Sequence, residues 1–209
     1  MPSKFRIRNL FKGKLVNIIA KKFANINVKP NHVTLIGPIF AIIAVILFYF
    51  GGVIIGSILF GITIFIIMLF DGVDGALARL TGSQSNFGGF FDSTMDRYTD
   101  FILIFGFIVF YDPNLMSDSN FNYYLPLYIW VIITIIGILL TSYSRSLAEK
   151  VGLEDTDIGL FGRSERLLVL TISSWILLPI LGLIFLAIFS NLTALFRIIS
   201  YGVKINKIE

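Results

Sequence analysis

Cysteine is absent from the 209-residue chain, so neither a disulfide framework nor a thiolate metal site can form, and the redox compartment is left open. Charge is scarce too: Asp, Glu, Lys and Arg make up 14% of the residues, where a soluble domain averages about 25%. A water-soluble globule would lack the polar surface it needs, and that class is excluded. What fills the chain is apolar, at 56% of residues with 21 Phe among them. Four stretches, 30–70, 101–111, 119–144 and 167–196, carry almost no charge. Each is, or borders on, the roughly 20 residues that cross a hydrocarbon layer about 30 Å thick. The chain reads as an all-α, polytopic membrane protein.

Splitting the apolar runs at their breakers predicts six transmembrane helices. Gly51 and Gly52 separate 33–50 from 53–79. A third helix runs over 88–111, closed by Asp112, Pro113 and Asn114, and a fourth over 124–148. The run 167–196 would be about 45 Å long as one helix, too long for one crossing, and Pro179 with Gly182 offers an elbow that makes it two. In this scheme the turns on one side, near Gly51, at 112–123 and near 179–182, hold none of the 17 Lys and Arg residues. The positive-inside rule then places both termini in the cytoplasm of a cell-membrane protein. Upstream, Leu10, Phe11, Leu15, Ile18, Ile19 and Phe23 recur at helical spacing opposite Lys12, Lys14, Lys21 and Lys22. This pattern predicts an amphipathic helix over 9–24 lying on an anionic leaflet. No small-residue cleavage site follows a short apolar core, so uncleaved insertion is expected. The organisation is an N-terminal segment 1–31, a transmembrane domain 32–203 and a tail 204–209.

Ionisable groups at membrane depth cost roughly 2.5–3.5 kcal/mol each on the lenient insertion scale and are functional candidates for that reason. Four aspartates are grouped here. Asp71 and Asp74 are three apart near the end of the second helix, and Asp92 and Asp96 are four apart near the start of the third. Each pair lies on one helical face, and antiparallel neighbours would turn the two faces together. Converging carboxylates repel unless cations neutralise them, and an all-oxygen set suits Mg, Mn or Ca. Gly72, Gly75, Ala76 and Ala78 keep the helix surface flat, so a large ligand could approach, and Arg79 can pair with phosphate. Small residues, oxygen-bound metals and an arginine suggest a phosphate-bearing substrate.

The run from Asp71 to Asp96 resembles, at every fixed position, the signature of the CDP-alcohol phosphotransferase family, D-x-x-D-G-x-x-A-R-x(8)-G-x-x-x-D-x-x-x-D. The resemblance extends over the whole length, through the six expected spans, the basic amphipathic start and the Pro30-Asn31-x-x-Thr34 element. It implies transfer of a substituted phosphate from a CDP-linked donor to an alcohol, with release of CMP and with divalent metal, Mg2+ or Mn2+, as two ions. It further implies that Asp71, Asp74 and Asp92 are metal ligands and that Asp96 serves both the metals and, as general base, the acceptor hydroxyl. Gly75, Arg79, Asn31, Thr34 and Ser85 fall at positions similar to donor-contacting ones. A homodimer is implied as well.

The signature reads only the donor half of the reaction. Arg145, in the run 142–149, and Arg163 and Arg166, in 159–167, stand on the same side as the aspartates, and arginine forks suit a phosphate dianion. This pattern resembles the phosphatidylinositol phosphate synthase branch and its archaeal archaetidylinositol counterpart, which implies inositol 1-phosphate as acceptor. One departure is Leu147, where that branch commonly has a second basic residue. Alternatives within the family are glycerol 3-phosphate or serine as acceptor, or CDP-inositol as donor. Arg197 and Lys150 read as membrane anchors, Asp100 as a support or a partner for Arg97, and His32 has no assigned role. Outside the family, paired intramembrane carboxylates could serve a cation transporter, but no broken helices or inverted repeats accompany them. Nothing in the chain points to nucleic acid; the expected partners are a CDP-lipid, a phosphorylated polyol and membrane lipids.

Overall fold

The computed structural model describes residues 14–110, 126–154, 156, 158–159 and 161–206. Among these every regular element is helical: α1 (Lys14–Asn25), α2 (Pro30–Thr34), α3 (Ile36–Phe50), a π-helical turn (Gly52–Gly56), α4 (Ser57–Leu80), α5 (Asn86–Phe110), α6 (Leu127–Lys150), α7 (Arg163–Trp175) and α8 (Pro179–Ile205). The segment 112–123, Tyr111 and the expected start of the fourth helix at 124 lie outside the described residues, as do Leu10 and Phe11.

The helices from α3 onward close into a ring. Helix α3 packs on α4 and α5, α5 on α6, α6 on α8, α8 on α7, and α7 back on α4. Inside the ring Phe48 and Phe60 stack at 4.4 Å between centroids, and Phe107 meets Phe48 edge-on at 5.7 Å. All three are fully buried, with Ile64, Ile67, Leu103, Leu170 and Leu183 around them. The outer faces are apolar as well: Phe50 is 80% and Ile199 67% exposed, the surface of a protein whose solvent is lipid.

Four helical stretches are long and apolar enough to cross a membrane: Pro30–Phe50, Gly52–Leu80, Leu127–Lys150 and Pro179–Ile205. Helix α5 has 25 residues but carries Asp92, Asp96, Arg97 and Asp100, and α7 has 13, about 20 Å at 1.5 Å per residue. The chain is therefore a helical membrane protein, with these four candidate spans among the described residues.

The predicted break at Gly51 and Gly52 is present, and it needs glycine. Gly52 has φ +66°, which side chains rarely adopt, and a Cβ on Gly56 would lie 2.5 Å from the Phe48 carbonyl oxygen. The later break falls earlier than the elbow expected at Pro179 and Gly182. The chain turns at 176–178, where Leu177 has φ +61°, and Pro179 opens α8 at its first position. Proline there gives up an N–H that has no partner in any case. Gly182 is already helical, and a Cβ on it would meet Ser173 Oγ at 2.1 Å, so its role is close packing of α8 on α7. Helix α7 also starts before the apolar run, at Arg163.

Polar side chains fasten α6 to α8. Thr141 Oγ1 donates to the Ser190 carbonyl at 3.0 Å and Asn191 Nδ2 to that of Ile133 at 2.9 Å. Bonds between helices with a close-packed glycine at the crossing, here Gly137 against Asn191, replace the hydrophobic drive that lipid removes. At the other side α1 lays Val16 and Ala20, both buried, with Ile19 and Phe23 against Val73, Ala76 and Leu77 of α4. Leu15 and Ile18 of the expected apolar face remain exposed.

Candidate metal and phosphate site

The last turns of α4 and the first turns of α5 run side by side, joined by 81–85, and bring the aspartate pairs together. Carboxylate oxygens of Asp71, Asp92 and Asp96 lie within 4.8 Å of one another. Asp74 is buried deeper, at 7% exposure, and is held on both oxygens: Thr34 Oγ1 donates to Oδ2 at 2.8 Å and the Gly75 N–H to Oδ1 at 2.6 Å. Helix α2 exists to deliver that threonine. Pro30 sets its first turn, and Thr34 closes it by also donating to the Pro30 carbonyl at 3.3 Å. Two more of the sequence-derived donor contacts, Ser85 and Asn31, meet at the start of α5. The Ser85 hydroxyl accepts the Gly88 N–H at 3.0 Å, capping the helix, and Asn31 Oδ1 is 3.7 Å from where a Cβ on Gly88 would stand. Asn31 thus lies against the first turn of α5.

A void of about 10 Å³ lies among Asp71, Asp74, Asp92 and Asp96, closed by Val33, Thr34 and Thr99. It is about the size of one water or one small ion. Four carboxylates converging on a void of that size fit a hard divalent cation, and the Arg163 guanidinium, which also lines the void, balances part of their charge in its place.

Beside it opens a cavity of about 1010 Å³, lined by all four aspartates, by Gly75 and Arg79, and on the far wall by Ser142, Tyr143, Arg145 and Glu149 of α6 and Arg163 and Arg166 of α7. The sequence-derived arginines do reach one cavity, but in different states. Arg163 reaches into the aspartates: Nη1 bonds Asp71 and, at 2.7 Å, Asp96, while Nε donates to Asp100 at 3.3 Å. Arg166 is 3% exposed and its Nη2 donates to Asp100 at 3.0 Å. Arg145 Nε bonds Glu149 at 2.8 Å, one turn along its own helix.

One residue has a different role from the one the sequence predicted, and Asp100 has the expected supporting role toward other arginines than Arg97. Arg197 is no membrane anchor: it is 4% exposed and donates to the carbonyls of Ile158 at 2.8 Å and Thr141 at 2.7 Å. It ties the end of the α6–α7 connection to α6, and Tyr201, whose hydroxyl donates to the Thr156 carbonyl at 2.5 Å, ties its middle. Asp100 is the anchor of Arg163 and Arg166 together. The sequence carries a signal for it, since an acidic residue one turn beyond Asp96 stays on the same face.

The family model for CDP-alcohol phosphatidyltransferase matches residues 27–201. The chain belongs to the CDP-alcohol phosphatidyltransferase family. Archaetidylinositol phosphate synthase of Pyrococcus horikoshii is 34% identical, over 86% of this chain and 87% of its own. Phosphatidylinositol phosphate synthase of Cutibacterium acnes is 33% identical, over 75% of this chain and 70% of its own. The crystal structure of Mycobacterium tuberculosis phosphatidylinositol phosphate synthase with CDP-DAG bound superposes with a TM-score of 0.72 at 26% identity, covering 90% of this chain and 94% of that one. The same mycobacterial enzyme in complex with manganese and citrate gives a TM-score of 0.70. This phosphatidyltransferase is therefore a membrane transferase that moves a phosphatidyl-type group from a CDP-lipid to an alcohol and uses a divalent metal. The transporter reading falls with that membership.

Proposed function

We propose that this phosphatidyltransferase transfers a diacyl or archaeal ether-lipid phosphatidyl group from a CDP-lipid to inositol 1-phosphate, releasing CMP. The observation that carries the reading is the shared cavity, which is lined by four aspartates and by Arg145, Arg163 and Arg166, with Arg163 reaching into the aspartates. That arrangement suits two phosphorylated substrates brought together. The names of the archaeal and actinobacterial relatives support the acceptor.

Asp71, Asp74, Asp92 and Asp96 would hold Mg2+ or Mn2+, as two ions. When bound, the metal neutralises charge on the pyrophosphate and on the departing phosphate. The chain's own residues do the rest. Gly75, without a side chain, lets the nucleotide lie against α4, and Arg79 holds donor phosphate. Asn31, Thr34 and Ser85 shape the donor edge, Thr34 by fixing Asp74. Asp96 accepts the proton of the acceptor hydroxyl. The hydroxyl oxygen then bonds the lipid-side phosphorus as the bond from that phosphorus to the CMP oxygen breaks. Arg163 receives the acceptor phosphate with Arg145, and Arg166 contributes through Asp100, which both α7 arginines share.

In the membrane, α5 and α7 complete a set of six spans within 32–203, with both termini and the cavity on the cytoplasmic side of the cell membrane. Helix α1 lies at the leaflet surface, and the enzyme works as a homodimer. The exposed Leu15 and Ile18, with Lys21 and Lys22 also exposed, support the interfacial placement of α1.

The test is CMP release by the purified chain in detergent with Mg2+, from diacyl and ether CDP-lipids, with inositol 1-phosphate, glycerol 3-phosphate, serine or free inositol offered separately. Turnover with inositol 1-phosphate alone supports the reading. Turnover with glycerol 3-phosphate alone would keep the donor chemistry and overturn the acceptor, and release only from CDP-inositol would overturn the donor.

A further inference from the structure

The cavity's arginines differ in what they already hold. Arg145, Arg163 and Arg166 have carboxylate partners, and Arg197 has two carbonyls. Arg97 has neither among the described residues: its Nη1 is buried without a hydrogen-bond partner, as is Nε of Arg166, but Arg166 has Asp100 on its other end and Arg97 has no carboxylate. Its charge acts on Asp92 and Asp100, yet it forms an ion pair with neither among the described residues. Arginine cannot escape such a position by losing its proton. A buried donor left unmade costs the desolvation of that group, and such orphans in folded proteins call for a ligand, water or ion to complete them.

The position says which kind of ligand. Arg97 follows Asp96 on α5, about 100° further round the helix, and lines the same cavity beside Ser93 and Thr94. The cavity it lines also holds the four aspartates and Arg145, Arg163 and Arg166, the groups that a phosphorylated substrate would meet. A planar guanidinium suits a phosphate oxyanion, which it can take bidentately.

We propose that Arg97 binds phosphate oxygens, those of the donor's pyrophosphate or those of a phosphorylated acceptor. The inference rests on the phosphoryl-transfer reading given under Proposed function, and adds to it a binding residue that neither the signature nor the α7 arginines contain.

The experiment compares wild type, Arg97→Gln and Arg97→Lys, each full length in detergent with Mn2+, for affinity toward inorganic phosphate and toward CDP by titration calorimetry. Loss of about tenfold or more in Arg97→Gln, with a smaller loss in Arg97→Lys, which keeps charge without the fork, supports the proposal. A loss confined to inorganic phosphate assigns Arg97 to the acceptor, and one confined to CDP assigns it to the donor. Stabilisation by Mn2+ should persist in both variants, which shows the aspartates intact. If Arg97→Gln does not fold, the comparison with Arg97→Lys carries the test, with a several-fold loss expected. Unchanged affinity for both probes overturns the proposal, as does a wild-type chain that binds neither. Failure of the proposed function looks different: wild type then releases no CMP from any CDP-lipid, whatever the titrations show.

Discussion

Asp96 and Asp100 are one turn apart on α5 and do opposite work. Asp96 stands in the carboxylate cluster, facing Arg163 at 2.7 Å, whereas Asp100 is 3% exposed and spends both oxygens on arginines of α7. Replacing Asp96 with Asn should lower the rate of CMP release by about 10²–10⁴-fold, the usual share of a general base, with little change in the thermal midpoint. Replacing Asp100 with Asn leaves the guanidinium of Arg166 buried beside a neutral amide. A loss of about 3–5 kcal/mol is expected, as for any buried pair broken on one side, measured by thermal unfolding in detergent. Asp100→Leu combined with Arg166→Met should recover most of that stability but not the activity, because Arg163 would have lost its anchor. Stability unchanged in Asp100→Asn would mean that Arg166 finds other partners. At this scale the sequence identified the four aspartates, since charge in an apolar run stands out, but it could not separate Arg163 from Arg166. Both are basic and three residues apart, and only the packing of α7 on α4, beside Asp100 of α5, makes one reach the cluster and buries the other.

The elements follow from simple local rules with a few departures. Helix α4 ends at Leu80, one residue past the predicted Arg79, because 81–85 is a run of polar residues with Gly82 at φ +63°. The break before α8 was displaced because Pro179 is favoured at a first helical position and Gly182 is needed for contact with Ser173. Apolar periodicity is blind to both. The α6–α8 crossing offers a test at this level. Gly137→Leu would drive a side chain into Asn191, whose Nδ2 lies 2.6 Å from where even a Cβ would stand. Overpacking of this kind typically costs about 1–3 kcal/mol, and it should also loosen the Arg197 bond to Thr141, one turn further along α6. A thermal midpoint equal to wild type would show that the two helices can part freely. Arg197→Met should raise KM for the acceptor more than for the CDP-lipid, since the connection it holds leads into Arg163. Equal changes in both would place its effect on the whole fold.

For the whole molecule, the ring of helices sets the donor signature on α4 and α5 against the arginines of α6 and α7, halves that are far apart in sequence. Chelation with EDTA should abolish CMP release, and Mn2+ should restore it; activity that survives exhaustive chelation would contradict the use of the carboxylates. The absence of cysteine makes topology directly measurable. Single cysteines at Val53 and at Ser83, both exposed, should react with a membrane-impermeant maleimide from opposite sides of sealed vesicles. Reaction from the same side would break the six-span arrangement. Composition and the spacing from Asp71 to Asp96 alone determined that this is a helical membrane protein with a cluster of converging carboxylates, because lipid permits few structures and helical spacing fixes which carboxylates share a face. Which cations face those carboxylates was decided only by the tertiary structure. The partnering of Arg163 with Asp71 and Asp96, the burial of Arg166 on Asp100, the Arg197 tie and the orphaned Nη1 of Arg97 all depend on how helices distant in sequence rotate against one another. No local pattern encodes that rotation.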